Sequence, residues 1–216
     1  MRLTLPLAAL LACPISAFAH PHVFVAAQVT VVFDGSGAVA VKLDWQYDEL
    51  FSLLVTSDLG LDMDGDLLLT AEEQATLDAQ IAAWPPDYQG DLEVSQNGAL
   101  LALPDKQDHS MTYADGLFLE SHTRPVAVVT DPNAPLQIRV YDPSFYTAYD
   151  LKQPVLIEGR DDCTVDVIAA DLDAAYALAE ELAEGYDPFS DDPAALFPPI
   201  GDAFADTIVV TCTDPL

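Results

Sequence analysis

The chain has 216 residues, half of them apolar, and 36 acidic against 7 basic side chains, for a formal net charge of −29. That is enough apolar material for one well-cored domain or two small ones, and too much for a disordered acidic tail. So negative a surface repels nucleic-acid phosphates and anionic lipid headgroups, excluding both as partners, while it concentrates cations.

The first 19 residues read as a cleavable export signal: Arg2, the apolar run Leu3 to Ala12, and the small-x-small triplet Ala17-Phe18-Ala19. The run falls short of the roughly 20 apolar residues of a membrane span. Leu10-Leu11-Ala12-Cys13 loosely resembles a lipoprotein processing box, with a very short apolar region before it. Cleavage after Ala19 is the expected outcome and leaves a single periplasmic domain over 20–216, with no later segment apolar enough for membrane insertion. His20 then becomes the first residue and His22 follows. An α-amine and two imidazoles in one short segment form a chelate for zinc, nickel or cobalt. Pro21 lacks an amide hydrogen and disfavours the square-planar chelate built on deprotonated amides. The same histidines can instead simply start a strand and face solvent.

Val23 to Val31 and Val39 to Trp45 alternate around Gly35-Ser36-Gly37, which predicts a β-hairpin. From Asp48 to Leu59 the period turns helical, and a second helix is predicted from the N-cap Thr70 to Ala83, ended by Trp84-Pro85-Pro86. Between them, Asp62, Asp64 and Asp66 occupy positions one, three and five of an EF-hand-type loop. The Leu68 carbonyl, Thr70 and Glu73 fill positions seven, nine and twelve, a calcium ligand set. Leu67 stands where such loops carry glycine, a departure expected to weaken binding to the sub-millimolar to millimolar range.

Short strands are predicted at 92–96, 99–103, 111–120, 126–130, 136–141, 155–157, 164–169 and 207–212, and one more helix at 172–184. The reading is a mainly β (α+β) fold: sandwich-like strands with a helical insertion at about 48–84 and one further helix. Cys163 and Cys212 are left as a pair once Cys13 goes with the signal. In an oxidising compartment they form a bridge worth roughly 3–4 kcal/mol. Asp48, Glu49, Asp142 and Tyr146 would lie near the histidines if the terminus folds back on the domain. Each has a structural alternative: Asp48 as a helix cap, Asp142-Pro143 as a turn, Phe145 and Tyr146 as core. His109 and His122 read as surface or hydrogen-bonded residues.

His20-Pro21-His22-Val23-Phe24, Trp45-Gln46-Tyr47-Asp48-Glu49, the single EF-like loop, Tyr141-Asp142-Pro143-Ser144-Phe145-Tyr146, Gly201 to Asp206 and Cys212 occur in this order. In this the chain resembles an uncharacterised bacterial periplasmic family described as a component of an ABC-type transport system. Members of that family are often encoded beside nickel/cobalt-type permeases, and some are associated with zinc homeostasis. Leu67 and the acidic stretch from Leu172 to Pro199 depart from its pattern. The family's activity is not established, so the resemblance supplies context; with the N-terminal amine, His20 and His22 as metal donors, the leading expectation is a non-catalytic periplasmic divalent-metal accessory protein working with an inner-membrane permease. The competing expectation is a calcium-stabilised interaction module without transition metal. No Ser-His-Asp or Cys-His arrangement points to an enzyme.

Overall fold

The computed structural model describes residues 21–34, 39–85, 88–127, 131, 133–183 and 198–215. The fold is mainly β, two sheets facing each other with three helices at the periphery. The first sheet holds β1 (Val23–Phe33), β2 (Val39–Tyr47), β5 (Gln107–Ala114), β6 (Leu117–Pro125), β8 (Thr147–Leu151) and β9 (Leu156–Glu158). Its order is β5-β6-β2-β1-β8, with β9 also on β1. Pairing is antiparallel except that β8 and β9 run parallel to β1. The second sheet runs β10-β11-β7-β3-β4, from β3 (Leu92–Gln96), β4 (Ala99–Leu100), β7 (Leu136–Val140), β10 (Cys163–Ile168) and β11 (Thr207–Cys212).

Strict alternation builds the core. Val23, Val25, Ala27, Val29 and Val31 of β1 and Val39, Val41, Leu43 and Trp45 of β2 are buried against Leu92, Val94, Leu136, Ile138, Val140, Ile208 and Val210 of the other sheet. Cys163 and Cys212 face each other in the β10–β11 register and are disulfide-bonded.

The helices α1 (Glu49–Leu59) and α2 (Ala71–Ile81) interrupt the two sheets. Asp48 caps α1 through Phe51 N, and Gly60 ends it in the left-handed conformation, φ 65°. Thr70 and Glu73 form a reciprocal capping box on α2. A separate cluster of Leu61, Leu77, Met111 and Phe118 seats this excursion on β5 and β6. The third helix, α3 (Leu172–Ala183), buries Ala175 and Ala179 near Phe145 and Ile200, while Tyr176 stays exposed.

Several expected boundaries are corrected. The stretch 111–120 is not one strand, because Asp115 and Gly116 both take positive φ and fold it into the β5–β6 hairpin. Val126 and Ala127 lie beyond the end of β6 at Pro125. β4 stops at Leu100, and β8 falls where no strand was expected.

Candidate functional site

The N-terminal residues come first. His20 and the signal-like stretch before it, Cys13 included, lie outside the described residues. The His22 amide donates to the Tyr146 carbonyl at 2.8 Å, and the two rings stand 5.0 Å apart, so the segment leading into β1 does lie on the Asp142–Tyr146 turn. The expected carboxylates serve the backbone there. Asp48 Oδ2 accepts from Phe24 N at 2.7 Å while Oδ1 caps α1. Asp142 Oδ1 accepts from the Ser144 amide and hydroxyl, and Oδ2 from Thr147 N. Glu49 is exposed in the first turn of α1. Phe145 is core, whereas Tyr146 is 43% exposed and so not a core residue.

The acidic loop has the shape its spacing predicts. Asp62, Asp64 and Asp66 bring carboxylate oxygens within 4.8 Å of one another. Leu67, in the glycine position, adopts φ 65°, the left-handed turn such loops require, and its amide donates to Asp62 Oδ1 at 3.1 Å. The Leu68 amide donates to Asp66 Oδ1 at 2.9 Å. Glu73 accepts from Asp62 N through Oε1 and from the Thr70 amide and hydroxyl through Oε2, tying the first loop position to the last. Those bonds, Thr70's first, hold its carboxyl below the ordinary value. Three converging carboxylates, with the Glu73 carboxylate bonded to the first loop residue, fit a hard cation that takes oxygen ligands, calcium above all.

A third group went unrecognised in the sequence. On β6 the core-facing row reads Phe118, Glu120, His122, Arg124, all buried. They stand opposite Trp45, Leu43 and Val41 of β2 in the cases of Glu120, His122 and Arg124. The segment after α2 covers them. Trp84 stacks edge-on with Tyr88, His109 and His122 at 4.9, 5.6 and 4.9 Å, and carries Lys106 Nζ over its ring at 4.4 Å. A Cβ on Gly90 (φ 74°) would come within 2.6 Å of Trp84, so only glycine lets the chain pass under that ring.

Beneath this cover, Lys106 Nζ meets His109 Nδ1 at 2.5 Å, and His109 Nε2 meets Glu120 Oε1 at 2.8 Å. An ammonium has no acceptor, so opposite a charged Lys106 the Nδ1 atom accepts and Nε2 donates to Glu120. Tyr47 donates to the other Glu120 oxygen at 2.6 Å. Burial pushes the Glu120 carboxyl up, but the His109 and Tyr47 bonds outweigh it and hold it below its ordinary value. His122 differs from its expected reading as a surface or hydrogen-bonded residue. It has no exposed surface, neither ring nitrogen has a hydrogen-bond partner among the described residues, and Glu120 stands 3.7 Å from Nδ1. Burial lowers its pKa to about 4, so it is neutral at pH 7. The readable signal was the alternation itself, which puts Glu120, His122 and Arg124 in phase with Phe118 on the inward face.

Next to Trp84, Asp91 sits at φ 48° and accepts hydrogen bonds from Tyr149 at 2.6 Å and from Tyr88. Burial is the main cause that raises its carboxyl to about 6; the two hydroxyls oppose it, and the Asp142 and Glu120 charges add to it. Asp91 lines a cleft of about 410 Å³ with Tyr88, Glu93, Leu100, Leu101 and Tyr141.

No helix among the described residues is long and apolar enough to cross a membrane. No curated protein matches the chain. A family profile spans residues 5–212, nearly the whole sequence, and by that match the chain belongs to DUF1007, a family of proteins of unknown function.

Proposed function

We propose that the protein is a non-catalytic, divalent-cation-binding accessory protein of the periplasm, working with an inner-membrane metal permease. One observation carries the cation reading: the Asp62–Glu73 loop already holds the left-handed turn at Leu67 and a converging carboxylate triad. Asp62, Asp64, Asp66, the Leu68 carbonyl and Glu73 would hold calcium, with Thr70 reaching it through water. A divalent ion there offsets the mutual repulsion of the triad and braces the helical excursion that covers Glu120 and His122.

The transition-metal half of the proposal places zinc, nickel or cobalt on the N-terminal amine, His20 and His22. It draws support from the donor types and from His22 being laid against the Tyr146 turn. The oxygens of Asp48 and Asp142 already serve backbone amides, so either would give up those bonds to take the metal, as Glu73 would in the acidic loop. Export is supported by the disulfide and by the signal-like start of the sequence. The permease partner rests on the family resemblance.

Thermal unfolding tests the calcium half. With a Kd near 1 mM, 10 mM calcium adds about 1.4 kcal/mol, which corresponds to roughly 3–6 °C. That shift should vanish in Asp62→Ala. A shift that survives the substitution, or none in the parent, removes the loop from the account. The same loop also favours the calcium-stabilised interaction module, which predicts the same shift without transition-metal binding.

A further inference from the structure

Asp91 is a half-buried carboxylate that meets no cation among the described residues. Among the described residues every ion pair involves another acid, and the groups that act on Asp91 are two tyrosine hydroxyls and two further carboxylates. Its neighbour in the same cleft differs. Glu93 has Arg139 at 4.0 Å and the Tyr141 hydroxyl at 2.7 Å, and so is already neutralised. A charge held away from water without a counter-ion is costly, and its usual resolution is a partner or a ligand.

The cleft supplies the rest of such a site. Its volume of about 410 Å³ lies in the range of small-molecule pockets. No lysine, arginine or histidine is among the described residues that line it. Leu100, Leu101, Tyr88 and Tyr141 line it, and the Arg139 guanidinium stands 5.3 Å from the Tyr141 ring, leaving Tyr88 as the ring without a cation among the described residues. No three-ligand set of metal-binding side chains includes Asp91 among the described residues, the acidic loop being the set that qualifies. An inorganic ion would therefore lack ligands here, whereas an ammonium needs one carboxylate, aromatic faces and apolar contact for its carbon body. Two consecutive left-handed residues, Gly90 at φ 74° and Asp91 at φ 48°, hold the carboxylate at this place.

From this we infer that the cleft beside β3 is a binding site for a small organic ammonium, with Asp91 as the counter-ion and Tyr88 beside the cationic head. Neither the acidic-loop residues nor His22 line the cleft, so the inference stands or falls independently of the metal reading.

Calorimetric titration of the full-length protein at pH 8 and 150 mM salt, with benzylammonium and the isosteric neutral benzyl alcohol, tests it. The salt suppresses diffuse attraction to the acidic surface. Benzylammonium should bind one to one, and benzyl alcohol at least tenfold more weakly. Asp91→Asn should bring benzylammonium down to the level of the alcohol, while Asp150→Asn, an exposed acid elsewhere, leaves it unchanged. Leu100→Arg, at a position 70% exposed and tolerant of change, sets a cation over the cleft and should cost at least tenfold. Equal binding of the two probes, full affinity in Asp91→Asn, or no saturable binding of benzylammonium up to 10 mM overturns the inference.

Discussion

Asp91 and His122 show how single buried groups shape the response of this fold to acid. The Asp91 carboxyl is raised to about 6 by burial, so the folded state holds its proton more tightly than the unfolded chain does. Its contribution to stability therefore falls as pH rises from about 4 to about 6, and stays low above that. His122, lowered by burial to about 4, works the other way: stability present above pH 6.5 is lost as pH falls toward 4. Each effect is on the order of 2–3 kcal/mol, and over the same window they offset one another. Asp91→Asn should raise stability at pH 8 and steepen the loss between pH 6.5 and 4. His122→Met removes two unpartnered nitrogens and should make stability rise on acidification over that range. Urea unfolding at four or five pH values measures both; parallel curves for parent and variants would show that neither group titrates as its surroundings dictate. A carboxylate retained at a cost to stability is what a binding residue looks like.

At the scale of elements, the acidic loop and the helices around it were legible because their signals are local. Asp48, Thr70 and Glu73 cap the helices they were expected to cap. The leucine at position 67 was expected to weaken the loop, yet the turn is formed with leucine in it. Its strain, about 1 kcal/mol, therefore belongs to the folded chain before any cation arrives. Leu67→Gly should then change calcium affinity by less than about threefold, whereas Glu73→Gln should abolish binding. A tenfold or greater gain in Leu67→Gly, read by calorimetry, would mean that the turn forms only with the ion. The β5–β6 hairpin was half legible: Asp115-Gly116 was recognisable as turn chemistry, but the apolar run on either side suggested one strand. The β6 row was passed over because each polar residue was weighed alone. Its inward phase becomes visible only when Phe118 and Arg124 are read as one alternating series.

For the whole molecule, composition and alternation were sufficient for a β-rich fold with a helical excursion and a Cys163–Cys212 bridge. The sheet order was not readable, because β8 and β9 join β1 in parallel across more than a hundred residues and leave no local mark. The aromatic cover of the buried histidines was hidden for the same reason: Trp84 follows α2, and its partners lie on β5 and β6. The pieces combine into one arrangement. An acidic loop joins two helices, the chain leaving the second helix carries Trp84 over a buried polar row, and the same chain leads to Asp91, which is held by two tyrosine hydroxyls. The central claim, that this acidic protein works by holding divalent cations, is tested most directly by native and denatured mass measurement of the tagless exported chain, titrated with zinc and nickel against excess calcium. The account predicts a chain beginning at His20 that holds one calcium and one tightly bound transition metal, the latter lost in the double variant His20→Ala, His22→Ala. A different terminus, or a chain that holds neither ion, contradicts it.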